Sequence, residues 1–216
     1  MTWFDLSVPV VTGMPVYPGD PEVAVTAALT VPEDGVNVAR VHLGSHAGTH
    51  VDAPFHIDDA LPRLDALPLE RFTGRAVLMD ARGLPPRSSI GPDLLPPGLG
   101  PGTVLLVHTG WSQYWGTPQY LAHPHLARET CARIVASGVR TVGIDALSVD
   151  RTPEPGGDDF SPDAHRELLG AGAVIAENLT GLEALPAAPR AVEVFLFPLR
   201  LMDDGAPVRA VARLHP

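Results

Sequence analysis

The segment Ser45-His46-Ala47-Gly48-Thr49-His50-Val51-Asp52-Ala53-Pro54-Phe55-His56 constrains this chain more than any other stretch. With His42 it gathers four of the nine histidines into 15 positions, where even scatter would place fewer than one. His46 and His50 stand four apart, the spacing of a zinc-binding pair on a helix. A helix does not suit the rest of the segment. Asp52 would point about 200° away from His50 around the axis, and Gly48 and Pro54 both oppose helix formation. A straight strand fails as well, because at about 3.3 Å per residue it separates the α-carbons of His46 and His50 by roughly 13 Å. What remains is a turn at Ala47-Gly48-Thr49 followed by an extended piece. In that piece His50, Asp52 and His56 project to one side, since even offsets share a face. Gly48 lets the backbone turn, and Pro54 stiffens the exit.

Imidazole and carboxylate are donors that zinc and its first-row neighbours accept. Three histidines and an aspartate so arranged supply three ligands and a spare histidine, which is the provision of an open catalytic metal site. His42 lies upstream in a strand and reads equally as ligand or structural residue. His108, His123, His125 and His215 have no evident partners in the sequence and read as structural.

Around this segment the chain reads as one α+β domain, residues 1–216, with mixed sheets and a few helices. Its 24 prolines and 21 glycines are spread throughout and punctuate short elements. Alternation or short apolar runs predict strands near Trp3–Val8, Glu22–Leu29, Asn37–Leu43, Ala76–Asp80, Thr103–Val107, Thr141–Ile144, Ala173–Ala176, Ala191–Phe197 and Val208–Leu214. One helix is predicted from Pro124 to Ser137, with Leu126, Cys131, Ile134 and Val135 for a buried face and Gly138 as the stop. Another opens at Ser161-Pro162-Asp163, with a capping hydroxyl and an acid on the positive end of the dipole. It carries His165 and ends near Gly170. A third, short helix spans Thr180–Leu185.

Composition narrows the function. Apolar residues at 45% argue against disorder. The net charge of −10, with no basic block, argues against a phosphate backbone as partner. No run approaches the roughly eighteen apolar residues of a membrane span, and Met1-Thr2-Trp3-Phe4-Asp5 lacks the features of a secretory leader. The single cysteine, Cys131, has no internal disulfide partner and sits in a helical setting, so it reads as packing in a reducing cytoplasm. Charged residues, at 19%, fall below the usual quarter, which hints at surface buried between subunits. A serine hydrolase is unsupported: Gly44-Ser45-His46-Ala47-Gly48 places the first glycine one position too close for a nucleophile elbow. The glycine-rich turn of dinucleotide-binding folds is missing too.

With its histidine signature the chain resembles the metal-dependent cyclase-like hydrolases, the family of bacterial kynurenine formamidase and isatin hydrolase. Ser45 to His56 matches that family's H-x-G-T-H-x-D-x-P-x-H pattern. Tyr17-Pro18-Gly19-Asp20-Pro21 resembles its amino-terminal loop, and Gly143-Ile144-Asp145, Ser148-Val149-Asp150 and Glu177-Asn178-Leu179 resemble later blocks. The resemblance implies a swivelling β/β/α fold, a homodimer or homotetramer, and one or two divalent ions per subunit, zinc or manganese. It implies that His46, His50 and Asp52 hold one ion, with Asp52 bridging to a second that His165 and Glu177 complete. His56 is the implied proton carrier. The residues agree: His165 sits in the first turns of a predicted helix. Glu177 closes the apolar run Ala173–Ala176, where an unpaired acid is costly.

The implied reaction is hydrolysis of an amide-type C–N bond in a small aromatic substrate, an arylformamide such as N-formylkynurenine or a cyclic amide such as isatin. Tyr17, where the kynurenine formamidase branch commonly carries tryptophan, and Thr49, where alanine is frequent, depart from that branch. Tyr17, Phe55, Trp111 and Trp115 are the candidate pocket wall; the two tryptophans follow a strand, where loops often line sites. Asp20, Asp145 and Asp150 are expected to support loops or stand behind the ligands. Three alternatives remain at this stage: a metal-stabilised binding protein of the same fold, a lactone or ester hydrolase, and a cyclase.

Overall fold

A computed structural model describes residues 2–154, 156–157, 160–186 and 192–215. Its strands are β1 (Thr2–Asp5), β2 (Ala24–Leu29), β3 (Val38–His42), β4 (His50–Asp52), β5 (Thr73–Asp80), β6 (Ser89–Ile90), β7 (Thr103–His108), β8 (His125–Leu126), β9 (Thr141–Ile144), β10 (Val174–Glu177), β11 (Val192–Phe195), β12 (Gly205–Pro207) and β13 (Val211–Leu214). Its α-helices are α1 (Val31–Asp34), α2 (Arg128–Ala136) and α3 (Asp163–Gly170). Nine of the described strands form one mixed sheet in the order β1-β13-β11-β5-β7-β9-β10-β4-β12. β5, β7, β9 and β10 run parallel at its centre, and antiparallel strands flank them on both sides. β2 and β3 form a separate hairpin, and β6 pairs with β8.

The central strands are buried on both faces, as parallel strands usually are. Successive residues of β7 divide between two cores. Leu105 and Val107 join Cys131, Ile134 and Leu168 of α2 and α3, whereas Val104 and Leu106 join Phe72, Val194 and Ala212 on the far face. The same period of two carries the polar residues of β4 and β10. Val51 and Ala176 face the second core, which turns His50, Asp52 and Glu177 toward the helix-covered face. In the antiparallel register Glu177 stands opposite His50, and Ile175 opposite Asp52. α3 packs against β10 on that face and delivers His165.

Most predicted strands form, within a few residues of their expected ends. The one expected at Val208–Leu214 forms only from Val211, as β13, while Val208 makes an isolated bridge to Pro198. Of the one expected at Ala191–Phe197, Ala191 lies outside the described residues. α2 begins at Arg128 rather than Pro124, because the His125 amide donates to the Ser88 carbonyl and its strand pairs with β6. α3 begins at Asp163, and the Ser161 hydroxyl turns to the Asp163 carboxylate instead of capping the backbone. The Asp150 carboxylate caps α3 from across the chain, accepting from the amides of Ala164 (2.7 Å) and His165 (3.0 Å). After Asp52 the extended piece is short, and Pro54–His56 form a single 3-10 turn that swings His56 out of the strand line. None of the described helices is long and apolar enough to cross a membrane.

Candidate metal centre

Gly48 sets the geometry of the histidine segment. It adopts φ +65°, where a side chain is strained, and an added Cβ would lie 2.9 Å from Met14 Cε. The turn brings the His46 and His50 rings edge to face, 5.0 Å between centroids. It also presents the Gly48 carbonyl to two donors, His50 Nδ1 at 2.8 Å and Asn178 Nδ2 at 2.9 Å. Thr49 locks the turn: its hydroxyl donates to the Asn178 carbonyl and accepts the Val8 amide. An alanine here would leave both partners unmet, which gives Thr49 a structural reason.

A carbonyl accepts only, so His50 carries its proton on Nδ1 and turns the lone pair of Nε2 inward. That nitrogen lies 3.2 Å from Asp52 Oδ1 and 3.7 Å from Glu177 Oε2. His165 is oriented in the same way. Asp150 Oδ2 takes its Nδ1 proton at 2.7 Å, and Nε2 faces Asp52 Oδ2 and Glu177 Oε1, both at 3.5 Å. His46 Nδ1 lies 2.7 Å from Asp52 Oδ1. Donor atoms of His46, His50 and Asp52 fall within 4.8 Å of one another, and so do those of Asp52, His165 and Glu177. All five sequence candidates for the metal therefore converge on one place, with Asp52 common to both groups.

The arrangement calls for positive charge, from a cation or from captured protons. His50 Nε2 and Asp52 Oδ2 are buried without hydrogen-bond partners. A lone pair facing carboxylates in a low dielectric is repulsive, and each unpaired buried acceptor costs about 1–3 kcal/mol. Burial and the nearby Asp52 charge push the Glu177 carboxyl up. Burial likewise opposes the charged form of Asp52, but positive charge on the neighbouring His50 and His46 imidazoles, when they are protonated, and hydrogen bonds from His165 and His46 outweigh it and hold that carboxyl well below the usual range. His46 answers in kind. Burial opposes its protonation, yet the Asp52 charge and the hydrogen bonds to Asp204 and Asp52 raise it to about 10. A divalent ion fits this donor set: it supplies positive charge where the lone pairs converge, and Gly48 and Asp150 hold the outer nitrogens as such sites require.

Above these groups opens a cavity of about 380 Å³, with Val16, Tyr17, Ile57 and Phe160 among its walls. His56 stands at its edge with a third of its side chain exposed, its ring 4.2 Å from that of His46. Of the four aromatic wall candidates, only Tyr17 lines it. Phe55 lies beneath the Arg63 guanidinium, 3.7 Å away. Trp111 is core: its indole N–H donates to the Gln119 carbonyl and its ring meets Tyr114. Trp115 packs edge-on against Tyr120. Asp20 lines the cavity, whereas Asp145 is spent on the loop after β7, accepting from Thr109 and Gly110. His42 is exposed on β3 and does not line the cavity.

The sequence reading gave two residues no role. Asn178, at φ +55°, ties Gly48 to the buried Tyr120 hydroxyl. Asp204 Oδ2 lies 2.7 Å from His46 Nε2 and 3.4 Å from His56 Nδ1. Asp203-Asp204-Gly205 reads as an ordinary turn, and 158 positions separate Asp204 from His46, so no local signal joins them.

Residues 4–151 match the cyclase family, which carries the description "Putative cyclase". The kynurenine formamidases of Bacillus cereus and Bacillus thuringiensis are each 32% identical to the chain over 215 residues, which is 98% of it and 97% of their own length. An isatin hydrolase bound to the product analogue thioisatinate shares the fold with a TM-score of 0.87 at 20% identity, over 99% of this chain and 92% of its own. A protein from Bacillus stearothermophilus described as a "predicted metal-dependent hydrolase" does so with a TM-score of 0.75 at 26% identity, over 98% and 97%. By sequence along nearly its whole length, and by fold, this chain belongs to the cyclase family.

Proposed function

We propose that this chain is a metal-dependent hydrolase that cleaves an amide-type C–N bond of a small aromatic substrate, an arylformamide or a cyclic amide. The observation that carries the reading is the pair of buried, unpartnered acceptors, His50 Nε2 and Asp52 Oδ2, beneath a cavity that a further histidine overlooks. His46, His50 and Asp52 would hold one ion, and Asp52, His165 and Glu177 a second. A divalent ion there, zinc or manganese by donor type, would lower the pKa of water toward neutrality and polarise a carbonyl.

The chain's own residues do the rest. His56 belongs to neither group around Asp52 and its Nδ1 faces Asp204, which leaves Nε2 to take a proton from the attacking water and return it to the leaving nitrogen. Imidazole serves both directions near neutral pH. Tyr17, Ile57 and Phe160 supply apolar wall for one ring, and a cavity of about 380 Å³ is near the lower end for small-molecule sites. The names of the relatives, kynurenine formamidase and isatin hydrolase, fit this substrate class.

A homodimer or homotetramer is part of the same reading. Val10, Val11, Val31, Val36, Val38 and Val41 are each more than two-fifths exposed, and most lie on or beside the β2–β3 hairpin. A two-stranded hairpin is marginal alone in water, and clustered apolar surface marks contact sites. No nucleic-acid or membrane partner is proposed, and the cytoplasm is the proposed compartment.

A panel of N-formyl aromatic amines, isatins and small lactones, assayed with zinc and then manganese after chelation, tests the proposal. Turnover of a formamide or isatin that chelator abolishes and metal restores is the expected result. Metal-replete protein that binds these compounds yet hydrolyses none would make it a binding protein. A preference for the lactones would replace the C–N bond with an ester.

A further inference from the structure

We propose that Asp204 is the positioning residue of this site, one carboxylate that aims the His46 ring and, through the same oxygen, sets the tautomer of His56. The inference rests on the reading of His56 as proton carrier. Each nitrogen of His46 lies 2.7 Å from a carboxylate oxygen, Nδ1 from Asp52 and Nε2 from Asp204. With Nδ1 turned to the donor cluster, Nε2–H donates to Asp204, the carboxylate–histidine pairing that aligns metal ligands. Asp204 Oδ2 also faces His56 Nδ1 at 3.4 Å. Such bonds are often long before substrate binds and tighten with it. A carboxylate only accepts, so the His56 proton sits on Nδ1 and Nε2 keeps the lone pair that a base requires.

The turn that carries Asp204 is shaped to hold it. The Asp204 carbonyl accepts the Ala53 amide at 2.7 Å, and the Asp203 carbonyl accepts the Leu64 amide at 2.9 Å. The Asp203 carboxylate takes the Asp204 amide, and Arg63 donates to the Met202 carbonyl. Next comes Gly205, opposite Asp52 in the register. A Cβ there would fall 2.7 Å from the Val51 carbonyl oxygen and 3.0 Å from His46 Cε1, so the imidazole lies against bare backbone. The turn is thus fastened to both sides of His56, at Ala53 and Leu64, and fitted to His46. His56, at the end of a single 3-10 turn, has no other hydrogen-bond partner for its ring among the described residues.

The test uses the full-length zinc-loaded chain with Asp204→Asn, Asp204→Glu and His56→Ala. Asp204→Asn should keep the parent's zinc stoichiometry but bind zinc about 10- to 100-fold more weakly by chelator competition. Its nitrogen-15 spectrum should show His56 leaving the Nδ1–H tautomer. On the substrate selected by the panel, kcat should fall about 100-fold or more at near-constant KM. Asp204→Glu should recover part of that loss. On a His56→Ala background the Asp204→Asn change should reduce kcat by only about 3-fold, since groups acting as one unit are not additive. An unchanged tautomer, multiplying kcat losses, or the loss of a whole zinc equivalent would overturn the proposal, the last making Asp204 a ligand. Should the parent hydrolyse nothing, zinc affinity and tautomer still decide the role of Asp204 apart from the hydrolase reading.

Discussion

Two short antiparallel pairs in this chain invert the usual inside–outside rule in opposite senses. The β4–β10 pair is wholly buried yet carries His50, Asp52 and Glu177 inward. The β2–β3 hairpin is almost wholly exposed yet carries Val38 and Val41 outward, with Val31 and Val36 in its connection. Each is incomplete by itself. The first lacks charge: its lone pairs and carboxylates converge in a low dielectric, and only a cation or captured protons relieve them. The second lacks area: on the proposed assembly its apolar surface would be covered by another copy. Buried polar surplus thus points to a small ligand, and exposed apolar surplus to a protein face.

The strongest way to break the first half of that comparison is Asp52→Ala, since Asp52 belongs to both donor groups. Both ions and turnover should go together, with kcat falling about 10⁴-fold or more. Retention of metal by mass spectrometry would show that the centre does not depend on it. His56→Ala should be gentler: the parent's metal content, with turnover down about 10²- to 10⁴-fold. Loss of metal with activity would make His56 a ligand.

A histidine outside both regions sharpens the contrast in pH. His123 donates from Nδ1 to the Pro124 carbonyl and accepts at Nε2 from the Thr152 hydroxyl; burial pushes it down to about 4. The unfolded chain therefore binds this proton more readily. The stability that neutral His123 contributes is present above pH 6.5 and is lost as pH falls toward 4, on the order of 3 kcal/mol. His46 in metal-free protein has the opposite sign, because its folded value is raised. Its contribution is full below 6.5 and is lost as pH rises through about 10. Urea midpoints of metal-free protein should fall more steeply on acidification for the parent than for His123→Gln. Parallel curves would show that His123 is not held neutral.

The smallest effect is expected at the hairpin. Val38→Glu with Val41→Glu should weaken self-association about 10-fold or more by sedimentation, with metal content unchanged. A chain whose association ignores these changes assembles through another face.

The histidine segment was legible because Gly48 and Pro54 excluded helix and straight strand within a dozen residues. His165 and Glu177 were not joined to it by any spacing. The β4–β10 register that places Glu177 opposite His50 is a long-range pairing, and family resemblance supplied that link. The tryptophans show a different limit. Sequence marks where a strand ends but not which way the chain then turns, and Gly110 at φ +73° sends Trp111 inward. Phe160, which does line the cavity, sits in a stretch without periodicity. Asp204 was invisible because its partners lie at the other end of the chain.

Asp150 makes the start of α3 independent of the residues just before it, since a distant carboxylate caps the helix and Ser161 does not. The same carboxylate aims His165. Phe160, which reaches the cavity wall just before that cap, is therefore separable from the centre it borders. A side chain at that wall can change to suit a new substrate while the ligand keeps its aim. The fold thereby divides its labour into a part that evolution can edit and a part that it must leave alone.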